Sequence, residues 1–105
     1  MSFQDLEKQD QRNIFQCLKY IYQSGMLDER EIKKRIGIKI KDLGAVINDF
    51  PFIDDSDGAN GALAIKNCLS EVCDNLKFTS YDWNEWFTIS QDCMHESYNQ
   101  WKKLS

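Results

Sequence analysis

Apolar residues along this chain recur at steps of three and four, the spacing that lines one face of an α-helix. Phe3, Leu6, Ile14, Cys17, Leu18 and Ile21 keep that spacing, with Asp10 on the same line, and predict a helix over 2–24. Ser2 can cap it, with Asp5 at capping-box spacing. Gly25 stands where a glycine ends a helix. Phe15 and Tyr22 lie off the stripe and widen it.

A second helix starts at Asp28, which repeats the cap spacing with Glu31. Its first turn is acidic and its last turn holds Lys33, Lys34 and Arg35, the polarity that the helix dipole favours. Gly37 ends it, and a short turn leads to a third helix at about 41–49. Ile40, Leu43, Val46, Ile47 and Phe50 form its apolar side, and Pro51 disfavours a helical Phe50. Residues 51–58 read as a loop, with Ser56 or Asp57 as the next N-cap.

A fourth helix over 59–76 carries Ala62, Ile65, Leu69, Val72 and Leu76, flanked by Cys68 and Cys73. After a break at 78–80, the segment to Lys103 turns Trp83, Trp86, Phe87, Met94, Tyr98 and Trp101 inward. Thr88 with Gln91 supplies a second cap signal, so 80–103 fits one long helix or a short one followed by a longer one. No stretch alternates long enough for a strand. The expected fold is all-α: one domain, 1–105, of about five helices in a compact bundle, with a helix-turn-helix-like pair over 28–50.

Charge divides the chain. Net charge is −4, yet residues 28–50 hold six basic groups against five acids, and residues 51–105 hold four against nine. An acidic half repels phosphate backbones and attracts basic proteins. The N-terminal stretch has no apolar core of a signal peptide, and no apolar run reaches membrane-spanning length. The cytosol is the expected compartment, with no membrane association and with reduced thiols.

Candidate chemistry is sparse. Cys68, Cys73, Cys93 and His95 could be combined as zinc ligands. However, Cys-x₄-Cys on a helix points the two thiols about 140° apart, so buried structural thiols are expected and no metal. The acidic loop Ile53–Gly61 lacks the Gly and Glu positions of a calcium loop. One histidine with scattered cysteines makes no nucleophile–base pair without a fold to join them. No phosphate loop, GxSxG or HExxH occurs. The expectation is a protein without catalytic residues or cofactor.

The richest stretch is Phe78–Trp101, with seven of the thirteen aromatics, all three tryptophans and the only histidine. Within it, YDWNEWF at 81–87 mixes rings and acids. Rings dominate binding hot spots, and acids around them steer a basic partner. Asp54, Asp55, Asp57, Tyr81, Asp82, Glu85 and Trp86 are therefore the expected contacts of a small acidic inhibitor, of the immunity or antitoxin kind, with a basic protein. The alternative is a helix-turn-helix DNA binder using Lys33, Lys34, Arg35, Lys39 and Lys41. Lys33 stands where that motif wants a small residue, and Asp42 and Asp49 on the would-be recognition helix oppose phosphate contacts.

Overall fold

The computed structural model describes residues 2–104, and among them the fold is all-helical. Six α-helices follow one another: α1 Lys8–Gln23, α2 Glu29–Arg35, α3 Ile40–Asp49, α4 Asn60–Ser70, α5 Ser80–Trp86 and α6 Gln91–Leu104. A 3₁₀ turn, Phe3–Asp5, precedes α1, and a π turn, Glu71–Asn75, prolongs α4. No helix is long and apolar enough to cross a membrane among these residues.

α1 is the central helix and packs against α3, α4 and α6, while α2 leans on α3. Its stripe is buried as the periodicity predicts: Ile14, Cys17, Leu18 and Ile21 are shut off from solvent, and Phe3 and Leu6 join them. The first helix nevertheless does not run from residue 2. The Asp5 carboxylate accepts from the Ser2 amide at 2.7 Å, but this cap closes only the 3₁₀ turn. The chain is extended at Leu6 and restarts at Lys8. Gln11 secures the break by donating its side-chain amide to the carbonyls of Phe3, Gln4 and Leu6. The Phe3 carbonyl also accepts from the Leu6 amide, so Gln11 adds to that turn bond and supplies the Leu6 carbonyl with a partner.

The second helix follows its caps closely. Asp28 Oδ1 accepts from the Glu31 amide at 2.8 Å. Gly25 and Gly37 adopt φ of 75° and 90°, the left-handed region that glycine enters without steric cost. α3 ends at Asp49, with Phe50 extended before Pro51. The cap of α4 differs from expectation. Its N-cap is Ala59, which offers no side-chain cap, because Asp54 has already drawn Ser56 into a local turn. The fourth helix also stops being α-helical at Ser70. The amide of Leu76 reaches back five residues to Glu71 O at 2.7 Å. Glu71, at the start of this wider turn, is buried, and Arg35 meets it at 3.4 Å.

The last segment is two helices. Thr79 Oγ1 caps α5 by accepting from Asp82 N at 3.1 Å, and Ser90 Oγ accepts from Cys93 N at 3.1 Å at the start of α6. Thr88 is not the cap, because its hydroxyl and amide are both tied to the side chain of Gln16 on α1. Between α1 and α6 lies a buried polar chain. Asn13 donates to Ser97 Oγ at 2.9 Å, and Ser97 donates to Asp10 at 2.7 Å. A satisfied network of this kind fixes the register of two packed helices.

Candidate functional site

The sequence-predicted contact residues occupy two separate places. Asp54, Asp55 and Asp57 lie on the loop before α4. Asp54 accepts from the Ser56 hydroxyl at 2.7 Å and its amide at 3.0 Å, and these bonds lower its pKa. Asp55 accepts from the Phe3 amide at 2.8 Å. Gln4 donates to the carbonyls of Pro51 and Ile53, both at 3.0 Å. Of the three acids only Asp55 holds the loop to the N-terminal turn; Asp54 closes a turn within the loop, and Asp57 stands exposed beside Gly58.

Tyr81, Asp82, Glu85 and Trp86 lie on α5, and all four are exposed. At ~100° per residue they share an arc of roughly 140°, with Trp83 and Phe87 on the opposite side. Those two rings are buried and stacked, with centroids 4.0 Å apart. Phe78 packs edge-on to both, Tyr20 lies tilted against Phe87, and Trp83 Nε1 donates to Ile89 O at 2.6 Å. α5 is therefore anchored by rings and does not lie closely along any other helix. Trp86 departs from the inward position its spacing suggested. One side rests edge-on against Tyr20 at 5.4 Å, and the residue keeps 37% of its surface in solvent. Tyr81 keeps 79%.

The two places face different ways. The loop is bound to the N-terminal turn, which Gln11 holds, whereas α5 is anchored on Tyr20. Nine residues on one helix amount to two and a half turns, or ~13 Å, so Gln11 and Tyr20 point to opposite sides of α1.

The basic residues also divide. Arg35 forms ion pairs with Glu31 at 3.6 Å and with the buried Glu71 at 3.4 Å. Lys33, Lys39 and Lys41, joined by Arg30, line a groove of about 590 Å³ between α2 and α3. Lys34 is exposed but lies outside it. Arg30 was not among the candidate contacts, although its i,i+3 spacing to Lys33 puts the two on one face of α2. A larger cleft, about 790 Å³, lies between the 55–58 loop, α4 and α6, lined by Leu63, Trp101 and Leu104 with Asp57 and Lys66. Its charges are of both signs.

All four cysteines are free thiols. Burial pushes the pKa of Cys17, Cys68 and Cys73 upward, and the two latter thiols also act electrostatically on Cys17. Cys93 is exposed on α6. Among the described residues no three His, Cys, Asp or Glu groups converge as metal ligands. No family model matches the chain, and neither a curated protein nor a solved structure matches it significantly.

Proposed function

We propose that this protein is a small binding module without catalytic chemistry, an inhibitor of the immunity or antitoxin kind, whose α5 face covers a basic surface on a partner protein. One observation carries the reading: Tyr81 and Trp86 stand in solvent beside Asp82 and Glu85, on a helix whose other side is filled by core rings. Exposing large rings on an anchored helix forgoes apolar burial that a partner can restore. The acids make that partner basic and speed its approach. Trp86, half supported by Tyr20, is already restricted and loses little freedom on binding. Asp57, on the far side of α1, belongs to the same contact only if the partner wraps round the bundle.

The helix-turn-helix reading has less support. Arg35 is engaged with acids, and the third helix carries Asp42 and Asp49.

Capture from a lysate of the native host tests the proposal, with the wild-type chain and the Tyr81→Ala/Trp86→Ala pair run side by side. A stoichiometric basic protein held by the first and lost by the second, at equal thermal stability, is expected. Equal retention by both removes the α5 face from the contact. Nucleic acid released by moderate salt, without a protein, overturns the reading altogether.

A further inference from the structure

A concentration of unneutralised positive charge lies on a protein that is acidic overall. Arg30 and Lys33 on α2, with Lys39 and Lys41 at the start of α3, surround one groove of about 590 Å³. Glu29 is the single acid in its lining, and Ile40 is its apolar member. Both ion pairs among the described residues belong to Arg35, so none of these four cations has one. The net charge of the whole chain is −4.

Like charges held together repel, and this arrangement lowers the stability of the empty groove. The α2–α3 turn keeps them together all the same. Asn67 donates to Ile36 O at 2.8 Å, and Arg35 is tied to Glu71, so the end of α2 is pinned to α4. Lys39, the N-cap residue of α3, provides no side-chain cap for that helix, and the positive end of its dipole adds to the four side chains.

We propose that this groove binds a small polyphosphorylated ligand bearing three or four negative charges. The size of the ligand follows from what surrounds the groove. Its lining residues are adjoined along the chain by acids: Asp28 caps α2, Glu31 follows Arg30, and Asp42 follows Lys41 on α3. A duplex carries a charge about every 1.7 Å along its axis, so it would extend past the cations and meet these acids. A compact polyanion stays among the four cations. Ile40 then offers a contact to whatever apolar group the phosphates carry.

The test uses inorganic tripolyphosphate as the probe, titrated into the full chain by calorimetry and by amide chemical shifts. Orthophosphate and a short DNA duplex serve as comparisons. Saturable binding at one site is expected, with shifts centred on 30–33 and 39–42, and weakening as salt is raised. The Lys33→Gln/Lys41→Gln pair should weaken it about tenfold, while Lys66→Gln/Lys77→Gln, away from the groove, should leave it unchanged. Neither variant should melt below the wild-type temperature, since the first relieves repulsion among the cations. Three results would overturn the proposal: no saturation, equal affinity of the Lys33→Gln/Lys41→Gln pair, or tighter binding of the duplex than of tripolyphosphate.

Discussion

Gly61 is buried in the first turn of α4, where that helix passes beneath the Ile53–Asp54 backbone. A Cβ built on it overlaps the Asp54 carbonyl oxygen and comes within 2.7 Å of Ile53 Cγ2 and 2.9 Å of the Asp54 carbonyl carbon. The obstacle is mostly backbone, which cannot swing aside. Carbon atoms rest at ~3.5–4.0 Å, so Gly61→Ala must part the loop from α4 by about 1 Å. Overpacking of this kind costs ~1–3 kcal/mol, and alanine in a helix recovers ~0.5–1. The net effect is a loss of about 1–2 kcal/mol, or a fall in Tm of roughly 5–10 °C in a domain of this size. Gly44→Ala is the control. Its Cβ meets Tyr22 Oη at 2.8 Å and two ring carbons at 3.0 Å, but that ring is 38% exposed and can rotate outward. Gly44→Ala should therefore stay within about 0.5 kcal/mol of wild type. Thermal melts and urea titrations followed by circular dichroism measure both. If Gly61→Ala melts at or above the wild-type temperature, the Ile53–Asp54 backbone does not press on α4 and the close packing at Gly61 is wrong.

Three further outcomes follow from buried polar groups. Arg35→Ala leaves the Glu71 carboxylate, 8% exposed, without its cation. Because Arg35 is itself 43% exposed and water partly replaces it, the cost should be about 1–2 kcal/mol in urea titration; no change would mean that Glu71 does not depend on Arg35. Ser97→Ala removes the hydroxyl between Asn13 and Asp10 and strands a buried amide. The expected loss is ~1–3 kcal/mol, and an unchanged urea midpoint would contradict the network. Burial raises the Cys73 thiol from 9.0 to about 12. Below pH 9 the thiol is protonated in both states, but above it the unfolded chain releases the proton first, so stability falls as pH rises towards 12. Cys73→Ala should make that fall shallower, by up to ~1.4 kcal/mol per pH unit, and an identical slope would refute the burial of the thiol.

The helical stripes were legible in the sequence because burial on one side of a helix leaves a period that local spacing preserves. Gly25, Asp28 and Gly37 marked their boundaries for the same reason, each acting within a turn of itself. What the sequence hid depends on partners far along the chain. The break at Leu6–Glu7 survives because Gln11 satisfies the preceding carbonyls. Thr88 is taken from its cap position by Gln16, 72 residues away. The wide turn at Glu71 accompanies a contact with Arg35 that no local pattern announces. The candidate contact residues were chosen by type and charge alone, and their division between two sides of α1 is a consequence of packing. Trp86 matched an inward spacing, yet α5 is too short and too loosely flanked to cover it.

The most direct test of the central claim is the association rate of this protein with its captured partner, measured at low and moderate salt. The comparison is between wild type and Asp82→Lys/Glu85→Lys. Steering by the α5 acids predicts that reversal slows association about tenfold at low salt and flattens its salt dependence, with melting unchanged. Equal rates at both salt concentrations would show that α5 does not meet the partner's basic surface.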